Sequence, residues 1–315
     1  MNTDIRFYRE ADVFAKLSLE TVIEEVEFAL RREHEGTATN IPKTMTTWGE
    51  RSSAHALGAL DLGESLVAFK TWVNTPRGAA AVATVFDAED GRLHAVVQAG
   101  ILGAVRTAAI VGVATRRLAA SGADELAIIG SGRQSLSQVL AVHAVRPLRR
   151  ICVWSPRPSS RDAFAEQIRA HVPASVVVAD TLRDAVRGVG IVTLVTRATE
   201  PILAADDLAA GAHLNAVGAI LPSNAEFDPR LLGSAKLTVV DNLENARRSS
   251  RELREFFGDD WSRVHRLADV VAGAVAPDDT ASGPTVFKPL GMGLSDSAAL
   301  TAFLRVVEPG LMEAR

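Results

Sequence analysis

The pattern of hydrophobic and polar residues before residue 122 differs from the pattern after it. Before that point, one amphipathic segment precedes several short segments rich in Val, Thr, Ala and aromatic residues. After it, short and nearly uninterrupted runs of Val, Ile, Leu and Ala alternate with helical patterns. We therefore expect two structural units of different architecture.

The first part of the chain predicts a helix followed by a mainly antiparallel sheet. In residues 18–35 apolar positions recur at helical spacing, Ser18 can cap the start and Gly36 can end the helix. A hairpin turn is indicated by Asp87–Gly91. Short segments that predict strands lie at 43–49, 54–61, 66–74, 80–87 and 93–98.

Two further helices are predicted from apolar segments. Residues 99–121 form one long apolar helical pattern, and Gly122 is positioned to end it. Residues 295–306 predict the final helix of the chain.

The second part predicts a doubly wound α/β domain over residues 123–285. Continuous apolar strands that alternate with helices are typical of a parallel sheet covered on both faces. The runs that predict these strands lie at 125–130, 150–155, 175–180, 190–196, 213–218 and 236–241. The predicted fold class is therefore α/β, with a Rossmann-type dinucleotide-binding domain.

Composition narrows the class of protein. The 315 residues carry 34 basic and 38 acidic side chains, a net charge of −4, which gives no support to nucleic-acid or anionic-membrane binding. No apolar run approaches the ~20 residues of a membrane span, and the N-terminus is charged where a signal peptide is apolar. A single cysteine, Cys152, fits a reducing compartment, and no cluster has metal-ligand spacing. We expect a soluble, cytoplasmic protein without a metal.

The most specific motif is the glycine-rich segment 130–135, GSGRQS, which follows a buried strand and opens a helix. Gly130 permits a tight turn, and Gly132 lets the backbone approach a pyrophosphate. The helix N-terminus supplies free N–H groups, and Ser135 is a small residue in place of a third glycine. An ordinary strand-to-helix turn is the alternative, but the position at the start of a βαβ unit favours a dinucleotide.

The second strand of this unit bears on which nicotinamide cofactor binds. NAD sites usually carry Asp or Glu at its end, and the segment 153–158, VWSPRP, has none. Ser155 and Arg157 could instead contact a 2′-phosphate, with Arg161 nearby. NADP(H) is favoured and NAD(H) remains possible.

Three cations are candidates for substrate binding or catalysis. Arg106 is the only charged residue between Arg92 and Arg116, so it needs either a ligand carboxylate or a structural acid. Lys70 has apolar neighbours in its strand, and it is either a snorkelling lysine or an acid–base group with a shifted pKa. Lys43, in a loop-to-strand segment, is a weaker candidate.

Together these segments resemble the ornithine cyclodeaminase/μ-crystallin family over nearly the whole chain. The order and spacing of the matching segments carry the resemblance: Phe69–Thr71, Phe86–Gly91, Arg106–Ala109, Gly130–Gln134, His213–Gly218 and Phe287–Gly291. The resemblance implies a substrate-binding and dimerisation domain at 1–122 and 286–315. It also implies an NAD(P)-binding domain at 123–285 and a homodimer.

The resemblance also assigns roles to individual residues. Lys70 matches the active-site lysine, Arg106 the carboxylate-binding arginine, and Lys43 the position of a second arginine. The remaining matches concern the cofactor: the pyrophosphate loop at Arg133 and Gln134, and the strand ends at Thr196, Val217 and Gly218.

The expected activity follows from what the family shares, a carbon–nitrogen centre beside a carboxylate and a hydride moving to or from nicotinamide. Cyclodeaminases of the family carry an aspartate where this chain has Ile220, which cannot transfer protons. We therefore expect NAD(P)H-dependent reduction of small α-imino acids of the ketimine or iminosuccinate type, reversible as amino-acid dehydrogenation. The alternatives are an ornithine cyclodeaminase-type lyase with bound NAD and a μ-crystallin-like, NADPH-dependent binding protein.

Overall fold

The computed structural model describes residues 5–278 and 280–310. It divides into a first unit, formed by the described residues up to Ala109 and from Met292 on, and a second unit, Ile110–Gly291. The first few residues of the segment used in the signal-peptide argument lie outside the described ranges. No helix among the described residues is long and apolar enough to cross a membrane.

The first unit contains a six-stranded sheet in the order β1-β6-β5-β4-β3-β2. Neighbouring strands are antiparallel except β1 and β6, which are parallel. The mainly antiparallel sheet is as the sequence predicts, but β1 was not predicted and β2 begins well before residue 43. The strands are β1 (Arg6–Tyr8), β2 (Ala38–Trp48), β3 (Ser52–Asp61), β4 (Leu66–Thr75), β5 (Gly78–Asp87) and β6 (Leu93–Gln98).

Two helices cover this sheet. Helix α2 (Leu19–Glu35) follows the short α1 (Glu10–Lys16) and begins and ends as predicted. The Ser18 side chain accepts a hydrogen bond from the Thr21 amide, and Gly36 closes the helix at a left-handed φ of 79°. Helix α11 (Gly293–Val307) returns from the far end of the chain and packs against α2 and the sheet. Its first twelve residues are buried, so it forms part of the core of this unit.

The long helix α3 (Gly100–Leu118) ends four residues before Gly122, which corrects the predicted helix end. The carbonyl groups at the end of α3 accept hydrogen bonds from side chains that lie outside the helix. The Arg146 guanidinium donates to the carbonyls of Arg116 and Ala119, and the Thr285 hydroxyl donates to the carbonyl of Leu118. A glycine cap is therefore unnecessary.

The second unit contains an eight-stranded, wholly parallel sheet in the order β13-β12-β14-β11-β10-β7-β8-β9. This arrangement confirms the predicted Rossmann-type α/β fold class. The strands are β7 (Glu125–Ile129), β8 (Arg150–Trp154), β9 (Ser175–Val178), β10 (Ile191–Leu194), β11 (His213–Ala216), β12 (Leu237–Val240), β13 (Val264–Arg266) and β14 (Thr285–Lys288).

Helices connect most of these strands. They are α4 (Ser135–Val145), α5 (Pro158–Arg169), α6 (Leu182–Val186), α7 (Leu231–Ser234), α8 (Leu243–Ser249), α9 (Arg251–Phe257) and α10 (Leu267–Val271).

The unit boundaries differ from those expected at 122/123 and 285/286. The first division falls inside α3, between Ala109 and Ile110. The second falls after Gly291, because β14 pairs with both β11 and β12 and so belongs to the parallel sheet. Neither β13 nor β14 was predicted, since their sequences, VHR and TVFK, contain only one and two apolar residues.

A buried polar network crosses the centre of this sheet. His213 is hydrogen-bonded to the side chains of Thr285 and Asn215, and the Asn215 amide donates to the Thr115 hydroxyl. Burial lowers the pKa of His213 to about 4, so the ring is neutral at pH 7. His213 is thus a structural residue of the second unit.

Candidate active site

Lys70, Arg106 and Asp296 form a buried ionic cluster in the first unit. The Lys70 ammonium lies 2.5 Å from Oδ1 of Asp296, and Nε of Arg106 lies 3.1 Å from the same oxygen. The arginine contact has the distance of an ion pair without the alignment of a hydrogen bond. Sequence reasoning therefore singled out two of the three members of this cluster and missed its acid.

The fold brings the three residues together from distant parts of the chain. Lys70 lies on β4, Arg106 on α3 and Asp296 in the first turn of α11. The side chain of Asn40, on β2, accepts a hydrogen bond from the Leu294 amide and so fixes the start of α11. A carboxylate in the first turn also interacts favourably with the helix dipole.

The cluster carries more positive than negative charge. Lys70 and Asp296 are almost fully buried, while 15% of the Arg106 side chain remains accessible. No other hydrogen bond or ion pair in the described part of the chain engages the Arg106 guanidinium. The two terminal nitrogens of Arg106 are therefore suited to binding the carboxylate of a ligand.

The electrostatic balance around Lys70 determines its protonation. Burial is the largest influence and lowers the pKa of Lys70 to about 8. The negative charge and hydrogen bond of Asp296 act in the opposite direction, whereas the charges of Arg106 and Lys43 lower it further. A lysine with this pKa can give up and take back a proton near neutral pH.

An aromatic side chain connects Lys43 to this cluster. The register of β2 against β3 shifts between Ile41 and Thr44, and Lys43 lies within that irregularity. The ammonium groups of Lys43 and Lys70 lie 5.3 and 5.2 Å from the centre of the Trp72 ring. All three cations predicted for the substrate site are thus grouped in the first unit.

The predicted dinucleotide loop lies in the second unit, directly after β7. Gly130 has a φ of 117°, and a Cβ there would lie 2.6 Å from the Val195 carbonyl oxygen, so the turn requires glycine. A Cβ at Gly132 would meet nothing within 4 Å. The space beside Gly132 is thus open, as the approach of a pyrophosphate requires.

The start of α4 also fits an anionic ligand. Gln134 occupies the cap position without a side-chain cap, so the first N–H groups of α4 lack a side-chain acceptor there. The hydroxyl of Ser135 and the amide of Gln138 are buried without a hydrogen-bond partner in the described residues. Arg133 and Gln134 are exposed at the same turn. These features fit a bound dinucleotide phosphate.

The residues considered for the 2′-phosphate are placed differently from one another. Ser155 is buried and accepts a hydrogen bond from the Ser131 hydroxyl, so it links two loops. Arg161 donates to the carbonyls of Ala179 and Asp180. Arg157 is exposed at the start of α5 and is the group best placed to meet a ligand.

The strand-end residues Thr196, Val217 and Gly218 lie after β10 and β11. The backbone amides of Thr196 and Gly218 both donate to the carboxylate of Glu226, a residue that sequence reasoning missed. Val217 is buried beside them. All the predicted cofactor residues therefore belong to the second unit, at the carboxyl edge of the parallel sheet.

A sequence signal could have revealed one of the two missed acids. Asp296 is the only charged residue between Lys288 and Arg305, as Arg106 is between Arg92 and Arg116, and an isolated buried charge needs an opposite charge. Glu226 lies in a loop segment with several polar residues, so no pattern distinguishes it. Among residues 5–278 and 280–310, no group of three or more His, Cys, Asp or Glu could hold a metal ion.

The parallel sheet and its glycine loop define the class, a two-unit protein with a Rossmann-type dinucleotide fold. The profile of the ornithine cyclodeaminase/mu-crystallin family matches residues 4–308, and the chain belongs to this family.

Individual relatives and solved structures agree with this assignment. Mouse ketimine reductase mu-crystallin is 33% identical over 68% of this chain, a match that spans about two thirds (66%) of that protein. A Δ(1)-pyrroline-2-carboxylate reductase of Bacillus cereus is 26% identical over 94% of this chain and 95% of its own length. The Thermococcus litoralis Δ(1)-pyrroline-2-carboxylate reductase, solved with NADH and L-proline, shares the fold, with a TM-score of 0.90, 24% identity and coverage of 97% and 98%.

The balance around Lys70 leads to a prediction that needs no substrate. NMR titration of ¹³C-labelled lysine side chains should give a pKa of about 8 for Lys70, with Lys70→Met identifying its signal. Asp296→Asn removes the charge that raises this pKa, so the value should fall below 8. Asp162→Asn, at an exposed acid of the second unit, is the control. An unchanged Lys70 titration in Asp296→Asn would show that the pair does not set the lysine's protonation.

Proposed function

We propose that this protein reduces small α-imino acids to amino acids with NAD(P)H and catalyses the reverse oxidation of amino acids. The observation that carries the proposal is the buried cluster of Lys70 and Arg106 around Asp296, with Lys43 nearby. In the proposed division of labour, the first unit binds the substrate and the second binds the cofactor. Relatives that are by name ketimine and Δ(1)-pyrroline-2-carboxylate reductases support the reaction type.

The cofactor of the proposal is a nicotinamide dinucleotide, which supplies the hydride that adds to the imine carbon. Gly130 and Gly132, with the turn of Arg133, Gln134 and Ser135, would hold its pyrophosphate. Thr196, Val217 and Gly218 would contact its other end.

The substrate's carboxylate would bind to Arg106, whose terminal nitrogens match its two oxygens, and Lys43 would add a second positive charge. Lys70 would protonate the imine nitrogen, or receive a proton from the amine in the reverse direction. With a pKa of about 8, Lys70 is mostly protonated at pH 7 and can serve as the acid. Asp296 holds the ammonium of Lys70 in place.

The lyase alternative needs a group that handles the second amine of a diamino acid. The corresponding position is Ile220, which is half-exposed in the loop after β11 and has no ionisable atom. This observation favours simple imine reduction over ring closure with loss of ammonia.

The reaction is tested with a panel of cyclic imino acids and of α-keto acids combined with ammonia or methylamine. The oxidation of NADPH or NADH is followed by absorbance. We expect one reduced cofactor to be consumed for each amino acid formed. With the diamino acid ornithine as a further substrate, formation of a cyclic amino acid and ammonia without net change of the cofactor would establish a cyclodeaminase instead. Tight ligand binding without turnover across the panel would establish a binding protein.

Arg106 variants test the carboxylate site. Arg106→Lys keeps the charge but loses the planar fork, so kcat/KM should fall in part. Arg106→Met should lose much more, on the order of 2–5 kcal/mol in transition-state stabilisation, while cofactor affinity changes little. Arg92→Met, in the exposed β5–β6 turn, is the matched control. A lowered melting temperature with normal kinetics of the folded Arg106→Met protein would mean that Arg106 only pairs with Asp296.

We propose NADP(H) as the preferred form of the cofactor, since Arg157 is exposed and the end of β8 has no acid. Arg157→Ala should weaken NADPH binding about tenfold or more and leave NADH binding nearly unchanged, because only NADPH carries the 2′-phosphate. Titration of tryptophan fluorescence measures both affinities. Arg169→Ala, at the other end of α5 and paired with Glu166, is the control. Tighter binding of NADH by the wild type would refute this preference.

We also propose that the protein works as a cytoplasmic homodimer. Strand β2 is an edge strand of eleven residues, and Met45 and Trp48 on it are largely exposed. The buried, unpaired thiol of Cys152 suits a reducing compartment. Light scattering should give about twice the chain mass of 33.5 kDa. A monomer at micromolar concentration would rule the dimer out.

A further inference from the structure

We infer that Glu226 is a positioning residue for the nicotinamide half of the cofactor. Its buried carboxylate holds together the two strand-end loops on that side of the sheet, and the buried Lys288 ammonium lies 4.0 Å from it. The inference rests on the proposed function, because it requires a nicotinamide dinucleotide as the ligand.

The first observation is the number of hydrogen bonds that this carboxylate accepts. Oε1 of Glu226 lies 2.7 Å from the amide nitrogen and 2.8 Å from the hydroxyl of Thr196. Oε2 lies 2.7 Å from the amide nitrogen of Gly218 and 3.0 Å from that of Ala219. Four donors from two loops thus converge on one fully buried carboxylate. Hydrogen bonds to a charged acceptor are the strong ones, so the two loops are held as one piece.

The second observation is how closely the two loops approach each other. A Cβ at Gly218 would lie 2.1 Å from the Thr196 carbonyl oxygen and 2.5 Å from Oε1 of Glu226. Only glycine fits at this point. The carboxylate and the two backbones therefore have no room to shift independently of one another.

The third observation is the charge that accompanies Glu226 into the interior. The Lys288 ammonium lies 4.0 Å from Glu226 and 3.4 Å from the carboxylate of Glu252, and all three side chains are inaccessible to solvent. The Lys288 ammonium makes no hydrogen bond in the described residues, so it acts through its charge. Glu252 accepts a hydrogen bond from the backbone amide of Glu226 and so fixes the backbone position of Glu226. Since Lys288 ends β14, the cluster joins the ends of β10, β11 and β14.

The sheet order places these loops on the nicotinamide side. In doubly wound sheets, a dinucleotide lies across the carboxyl ends of the strands at the point where the strand order reverses. Here that point is between β7 and β10. The glycine loop after β7 and the end of β8 serve the adenosine half, which leaves the ends of β10 and β11 for the other half. Glu226 bonds to those two ends and to neither of the first two.

The experiment compares two ligands in matched variants. NADH carries both halves of the cofactor, whereas ADP-ribose carries only the adenosine half with its pyrophosphate and ribose. In Glu226→Gln an NH₂ group replaces one oxygen and faces N–H donors, so two hydrogen bonds are lost. We expect the Kd of NADH to rise about tenfold or more and that of ADP-ribose to change less than about threefold. Glu252→Gln removes a charge beside Lys288, keeps a side-chain oxygen that can accept the hydrogen bond of the Glu226 amide, and leaves the four hydrogen bonds of the Glu226 carboxylate in place, so we expect no such difference between the ligands.

A second measurement uses the protein without cofactor. Hydrogen exchange followed by mass spectrometry should show faster exchange at residues 195–198 and 217–220 in Glu226→Gln than in Glu252→Gln. Where Glu226→Gln fails to fold, Glu226→Asp, which keeps the charge but is one methylene too short to reach the same amides, takes its place in both measurements. Equal weakening of NADH and ADP-ribose, or wild-type affinity for both, would overturn the inference. A wild-type protein that binds neither these two ligands nor NADPH would instead overturn the proposed function and remove the basis of the inference.

Discussion

A cation cannot be placed in an apolar interior unless an anion accompanies it, because desolvation costs several kcal/mol per ion. In the first unit this constraint is met by Asp296, which lies against Lys70 and Arg106. The need for that carboxylate requires α11 to return to a sheet built by the first hundred residues. The same pairing leaves a net positive charge with one partly accessible guanidinium, which is what a carboxylate substrate requires.

The second unit solves the opposite problem. There two carboxylates, those of Glu226 and Glu252, share one cation among the residues that the structure describes, the Lys288 ammonium. The Glu226 carboxylate accepts hydrogen bonds from backbone amides at two strand ends and is therefore not accessible to a ligand. The two clusters thus differ in purpose. One presents charge to the outside, and the other uses charge to fix the backbone.

Local patterns in the sequence predicted much of the fold. Helix α2, the hairpin at Asp87–Gly91 and the glycine loop are encoded by residues near one another, so spacing and turn chemistry suffice. The misses depend on distant residues. Helix α3 ends before Gly122, because the side chains of Arg146 and Thr285 donate hydrogen bonds to the last carbonyl groups of the helix. Asp296 is separated from Lys70 by 226 positions, and pairing over that distance leaves no periodic signal. Strand β14, TVFK, has only two apolar residues, so no apolar run distinguishes it from a loop.

The position of β14 has a consequence for the order in which the protein acquires its structure. It is the last strand in sequence among the described residues, yet it lies between β11 and β12 in the interior of the parallel sheet. Helix α11, which follows it, completes the core of the first unit. During synthesis on a ribosome, neither unit can therefore complete its fold until the segment after residue 284 has been made. Until it emerges, one sheet has a gap in its interior and the other lacks one of its two covering helices, and unpaired strand edges and exposed apolar surface of this kind favour aggregation.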